Sequence, residues 1–355
     1  MRFKKLGNSD IDISIIGLGT MTFGEQNSPS EAFELMDYAA EQGINYFDTA
    51  EMYPVYPKKE TCGKTEEIIG DWIKIKKNRD KIIIGTKVAS NHPTGIGASK
   101  LAWIRGGGEN LRFDKENINK AVDGSLKRLK TDYLDVYQLH WPERKVGMFG
   151  QLDFEYDPKD YWTPMEEVLE NLESLIKSGK VRYVGLSNET PWGILNFLKI
   201  SEKKNLPRMM SVQNCYNLLN RVFDIANSEV SIREQCGLLA YSPLAGGRLS
   251  GKYIDGNRPQ NCRYTMWPGR FSRHLTSRGE TAVKKYVKLA KKYNINPCTL
   301  ANAFVINRPF VTSSIIGATS IKNLEDNIRS LEINLNKEIL KEIEDIHSSD
   351  PNPCV

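Results

Sequence analysis

The 355-residue chain has no CxxC pair, no HExxH-type pair, and only four histidines, at positions 92, 140, 274 and 347. A zinc site needs Cys and His ligands at close spacing, so neither a structural zinc nor a metal-dependent hydrolase is suggested. The six cysteines, at 62, 215, 236, 262, 298 and 354, lie too far apart to read as a small disulfide framework, and free thiols are expected. No apolar run approaches the roughly 20 residues that span a bilayer. The opening MRFKKLGNSDIDIS lacks the apolar stretch of a signal peptide, so a cytoplasmic location without a membrane partner is expected. A nucleophilic Ser or Cys in an elbow motif is also missing. The net charge of +5 is spread, with Lys and Arg interleaved with acids, and does not form the basic stripe of a nucleic-acid surface.

What is present is a regular alternation. Phe3 to Leu6 and Ile11 to Ser14 flank a Gly7-Asn8-Ser9-Asp10 turn and read as a β-hairpin. Eight short apolar runs follow: 15–19, 45–48, 81–86, 133–139, 181–185, 210–213, 238–241 and 312–316. Helical patterns follow each in turn: 31–42, 65–75, 115–129, 165–178, 191–203, 223–235, 281–293 and 324–331. Continuous apolar strands are those of a parallel sheet covered on both faces. Eight strand–helix units predict a closed (β/α)8 barrel over 1–355 as one domain, with an extra C-terminal helix at 337–347. GLGTMT imitates a dinucleotide-binding GxGxxG, but Thr22 replaces the third glycine and no helix opens before Pro29. Three long connections, 88–114, 142–163 and 243–278, all follow strands and so belong to the mouth of the barrel. The glycines at 106–108 and the Gly, Pro and Arg of the third suggest loops that order around a ligand.

Polar residues collect where strands 2, 3 and 4 end: Asp48, Lys87 and His140, with Tyr53 five residues beyond Asp48. Each has a plain reading alone: a loop cap, a snorkelling lysine, a satisfied histidine and a rim aromatic. Ionisable groups ending three consecutive buried strands are costly to keep for packing alone. Together they can donate a proton: an ammonium lowers the phenol's pKa, Asp48 holds Lys87, and His140 orients a carbonyl oxygen. The hydride must then come from elsewhere, which implies a nicotinamide cofactor. By residue type alone Ser187 and Asn188 read as a helix cap before Pro191. Thr49 and Glu51 take no role.

From GLGTMTFG to IIGATSIKNLEDN the chain resembles the aldo/keto reductase family, and HWPER, VGLSNET, LLNR and YSPLAGGRLSGKY resemble its Tas-like members. The resemblance implies a barrel closed at the bottom by the hairpin, with Asp48, Tyr53, Lys87 and His140 as the catalytic tetrad. It implies NADP(H) along the mouth, touching Gly19, Thr20, Met21 and Asp48. The carboxamide would lie on Ser187, Asn188 and Gln213, and Tyr241 would stack on the ring. Ser242, Pro243, Leu244, Gly246, Ser250 and Lys252 would follow the pyrophosphate, and Gly317, Thr319, Asn323, Asp326 and Asn327 would clamp the adenosine. Asn323 departs from the arginine or glutamine of many members, and Arg270 is the candidate replacement charge. Trp103, Trp141, Trp162 and Trp267 on the three long loops are expected to make an apolar substrate pocket. The implied activity is NADPH-dependent reduction of aldehydes or ketones, by a monomer or small homo-oligomer. The alternatives are a slow-turnover regulatory subunit like the potassium-channel β-subunits, and a metal-dependent barrel hydrolase.

Overall fold

The computed structural model describes residues 1–91, 101, 103–106 and 111–355. Of the glycines expected to order around a ligand, Gly107 and Gly108 lie outside the described residues. Strands β1 (Phe3–Lys5) and β2 (Asp12–Ser14) pair antiparallel as the hairpin. Eight parallel strands then close on themselves: β3 (Ile16–Gly19), β4 (Tyr46–Asp48), β5 (Ile83–Val88), β6 (Leu134–Leu139), β7 (Val181–Ser187), β8 (Met209–Cys215), β9 (Gly237–Tyr241) and β10 (Val311–Gly317). β10 pairs with both β9 and β3, which completes a (β/α)8 barrel.

Around it lie α1 (Pro29–Glu41), α2 (Lys64–Lys76), α3 (Lys115–Leu129), α4 (Met165–Lys177) and α5 (Pro191–Lys204). They are followed by α6 (Asn227–Arg233), α7 (Ser277–Lys292), α8 (Pro297–Ile306), α9 (Ile321–Ile328) and α10 (Lys337–Ser349). Local chemistry sets several starts. Asp114 caps α3 by accepting from the Asn117 amide at 2.8 Å, and Ser28 with Glu31 forms a capping box on α1. No helix among the described residues is long and apolar enough to cross a membrane.

Two helical expectations need correction. The pattern at 223–235 is broken by Ala226, whose φ of 62° cannot continue a helix, so only α6 forms. α8 was not expected at all. Its sequence, PCTLANAFVI, is buried from Thr299 to Ile306 and carries no polar face, so it has no helical periodicity to read.

The interior of the barrel is divided by height. At the bottom, Leu6, Ile11 and Ile13 of the hairpin pack on Tyr46, Val136, Leu239 and Ile315. Full burial of Leu6 and Ile13 contributes about 1.5–3 kcal/mol each, which holds the hairpin as a plug. Tyr46 reaches across to β5, where a Cβ on Gly85 would lie 2.1 Å from its hydroxyl, so only glycine fits there. Above this layer the inward side chains turn polar.

Candidate active site

Parallel register fixes the polar layer. Asp48, the last residue of β4, pairs with Gly85, and Lys87 pairs with Gln138 on β6. Side chains two residues apart on one strand point the same way, so Lys87 rises one step above Gly85 on the inner face. Its Nζ donates to Asp48 Oδ2 at 2.6 Å and to the Thr49 carbonyl at 2.7 Å. Asp48 Oδ1 accepts from Gln213 Nε2 at 2.7 Å and from Gln138 Nε2 at 3.4 Å. Both charges are buried, and each has a charged partner together with neutral hydrogen bonds. Lys87 is not beyond the strand end as expected but inside β5, next to last.

Tyr53 sits on the turn after β4, its ring centroid 5.1 Å from Lys87 Nζ. His140, immediately after β6, meets the Tyr53 ring edge-on at 5.8 Å between centroids. The His140 carbonyl accepts from Asn188 Nδ2 at 2.8 Å, and its ring packs on Trp141 at 4.5 Å. The four residues expected to converge do converge. The expected tuning differs, however: burial first and the Asp48 charge second push the Tyr53 phenol above its ordinary value. Lys87 spends its ammonium on Asp48 and Thr49, and the raised phenol stays protonated at neutral pH. Burial likewise pulls Lys87 below its usual value, against the opposing pull of Asp48.

From this cluster a cavity of about 710 Å³ runs across the mouth to the start of α9. It is lined by Gly19, Thr20, Met21, Asp48, Tyr53, His140, Trp141, Ser187, Asn188 and Gln213 at the deep end. Tyr241, Ser242, Pro243, Leu244, Gly246, Ser250 and Lys252 line it next, then Gly317, Thr319, Asn323, Asp326 and Asn327. Ser187 and Asn188 are not the cap of α5. That cap is Thr190, while Ser187 Oγ donates to the Gln213 carbonyl at 2.8 Å and Asn188 takes a φ of 53° that turns it inward. Tyr241 donates its hydroxyl to Asn188 Oδ1 at 2.7 Å, and burial pushes its pKa up to about 12.

Four residues expected at the cavity do not line it. Arg270 does not reach the cavity: its Nη1 donates to the Tyr56 hydroxyl at 2.8 Å and its guanidinium lies over that ring. Trp103 packs instead against the apolar cluster of Ala50, Met52, Leu101 and Ile104. Neither Trp162 nor Trp267 lines the cavity; Phe149 and Phe271 do. The sequence reading also missed Arg263 and Arg273, which line the cavity from the third long loop. Other arginines near this loop are neutralised, Arg248 by Glu280 and Arg278 by Asp350. Lys252, Arg263 and Arg273 have no carboxylate within ion-pair distance among the described residues, which leaves the cavity with an excess of positive charge.

That excess suits a ligand with several phosphates. Gly246 and Gly247 have φ of 65° and 93°, and a Cβ on Gly246 would fall 2.5 Å from the Tyr264 hydroxyl. The backbone there is therefore bare and turned to the cavity beside Lys252 and Arg263, a cradle of the kind that receives a pyrophosphate. No cluster of three metal-ligating side chains exists among the described residues.

The family model for the aldo/keto reductase family matches residues 15–348. The chain is 41% identical to Protein tas of Escherichia coli over 98% of both chains. It is 41% identical to an aldo-keto reductase of Babesia bovis over 70% of this chain and 88% of that one. It is 28% identical to a probable voltage-gated potassium channel subunit beta of Oryza sativa over 99% and 98% of the two chains.

The chain belongs to the aldo/keto reductase family. It is therefore an oxidoreductase of a family that uses nicotinamide cofactors. Within this aldo/keto reductase the two residues left unassigned find their places. The Thr49 carbonyl is the second acceptor for Lys87. Glu51 is buried and accepts from the Ala89 amide at 2.7 Å and from Arg105 at 2.6 Å, tying the first long loop to the end of β4. Both contacts join positions far apart in sequence, so composition could not reveal them.

Proposed function

We propose that this aldo/keto reductase reduces aldehydes or ketones to alcohols with NADPH, Tyr53 supplying the proton. The observation that carries the reading is the Asp48–Lys87 pair beneath Tyr53 and His140, at one end of a cavity where Lys252, Arg263 and Arg273 have no acid partner among the described residues. When bound, the nicotinamide cofactor supplies a hydride to the carbonyl carbon. His140 and Tyr53 hold the carbonyl oxygen between them. Tyr53 Oη gives up its proton as negative charge develops on that oxygen, because an alkoxide is a stronger base than a phenolate. The phenolate left behind faces the Lys87 ammonium and regains its proton from solvent.

Ser187, Asn188 and Gln213 are the proposed carboxamide contacts, and Tyr241 the stacking ring. The Gly246–Gly247 cradle with Lys252 would take the pyrophosphate, and the residues at the start of α9 the adenosine. Arg263, rather than Arg270, is the cation we assign beside Lys252 at the pyrophosphate. The test is NADPH oxidation, followed by its absorbance, with a panel of aromatic and aliphatic aldehydes and ketones. Turnover well above the rate without substrate supports the reading. Tight NADPH binding without turnover on the whole panel would instead favour the regulatory role that the name of the Oryza sativa relative suggests.

A further inference from the structure

The cations of the cavity do not all sit in one place. A Cβ on Gly247 would lie 3.5 Å from Lys252 Nζ, and a Cβ on Gly246 would lie 3.5 Å from Arg263 Nη1, so both cations border the phosphate cradle. Arg273 is elsewhere. Its guanidinium lies 5.7 Å over the Tyr241 ring and 5.5 Å over the Phe149 ring, and its Cβ approaches Gly150. Phe149 and Gly150 belong to the loop that also carries His140 and Trp141, and Tyr241 is joined through Asn188 to the His140 carbonyl. Arg273 thus stands where the two long loops meet, on the side of the proton-donating cluster.

It is held in place but not neutralised. Nε donates to His274 Nε2 at 3.3 Å, and His274 is buried and kept neutral by that burial and by the arginines around it. The Phe149 and Tyr241 rings lie against the guanidinium, and the Tyr241 hydroxyl is a further polar neighbour. No carboxylate lies within ion-pair distance among the described residues. Arg273 lines the cavity, and a guanidinium with no acid beside it is suited to pair with both oxygens of a carboxylate at once.

We propose that Arg273 binds a carboxylate on the substrate, so that the preferred substrates are aldehydes or ketones that also carry a carboxylate group. This rests on the reductase reading above. A single charge-assisted, bidentate contact of this type is expected to change substrate discrimination by roughly tenfold to a hundredfold.

Matched probes are 4-formylbenzoate and its methyl ester, which differ in charge while keeping the reacting aldehyde. In the wild-type protein kcat/KM for the acid should exceed that for the ester by about tenfold or more, mainly through KM. Arg273→Met should bring the ratio close to one, and Arg273→Lys should recover part of it, because a lysine keeps the charge without the fork. A ratio near one in the wild type overturns the assignment. So does an unchanged ratio in Arg273→Met accompanied by weakened NADPH binding, which would place Arg273 on the cofactor. Binding of benzoate by calorimetry reads the site without turnover. Benzoate bound by the wild type and lost in Arg273→Met upholds the carboxylate site even if no aldehyde is reduced, in which case the reductase reading alone fails. No benzoate binding by the wild type overturns the site.

Discussion

Replacing Lys87 by Met tests the centre of the site and can be worked through from the structure. Lys87 is fully buried, and its Nζ makes bonds of 2.6 Å to Asp48 Oδ2 and 2.7 Å to the Thr49 carbonyl. Met matches the stem in length, so little cavity is left. The cost is electrostatic: Asp48 keeps its bond from Gln213 at 2.7 Å but loses its only cation among the described residues. Removing one partner of a buried pair typically costs about 3–5 kcal/mol, and the desolvation recovered at Lys87 argues for the lower end, about 3 kcal/mol. With an unfolding entropy of roughly 2.1 cal/mol/K per residue, that corresponds to a fall in Tm of about 4 °C for a chain of this size. Asp48→Asn removes the stranded charge and should make Lys87→Met/Asp48→Asn no less stable than Lys87→Met alone. Thermal unfolding followed by circular dichroism measures all four corners of the cycle. Additive losses in the double variant would refute the idea that the two groups act as a pair. On the proposed mechanism kcat should also fall by about a hundredfold, since the phenolate forms without its ammonium; wild-type kcat in Lys87→Met would refute that role.

Tyr53→Phe should lower kcat by about 10²–10⁴-fold, and undiminished carbonyl reduction in this variant rules Tyr53 out as the acid. Arg263→Leu is expected to raise KM for NADPH and NADH alike by roughly tenfold, and an unchanged KM for both refutes its place at the pyrophosphate. The buried phenols predict an alkaline transition. Burial pushes Tyr241 and Tyr264 up to about 12, and raises Tyr46, Tyr53 and Tyr137 above the ordinary value as well. The folded protein therefore keeps these protons where the unfolded chain, with pKa values near 10, releases them. Their contribution to stability is complete below about pH 10 and is lost as pH rises through the folded values. Phenolate absorbance of the native protein at about pH 11 should fall well short of that in denaturant, and equal values would contradict the burial.

The barrel was legible because each parallel strand is buried on both faces and so shows as a short apolar run, whatever the loops do. Asp48, Lys87 and His140 were legible for a related reason. Parallel strands end at one rim, so polar residues at consecutive strand ends must meet. The cap at Asp114 and the full length of α3 followed from local chemistry alone. α8 was hidden because a helix buried all round has no period, and the break at Ala226 because one backbone angle ends the helical pattern. Which arginine serves the cavity could not be read from composition. Arg248 and Arg278 meet acids at distant sequence positions, Arg270 is taken by Tyr56, and contacts across the fold leave Arg263 and Arg273 without a carboxylate partner among the described residues. The protonation of Tyr53 was decided in the same way. Sequence spacing placed a phenol near an ammonium, but the depth of burial and the charge of Asp48 set which way its pKa moves. The sequence by itself thus determined the barrel and the meeting of the four residues, because strand pattern and parallel register are local or topological. The charge left over in the cavity and the protonation of Tyr53 were decided by the tertiary structure, because desolvation and ion pairing depend on neighbours that are distant along the chain.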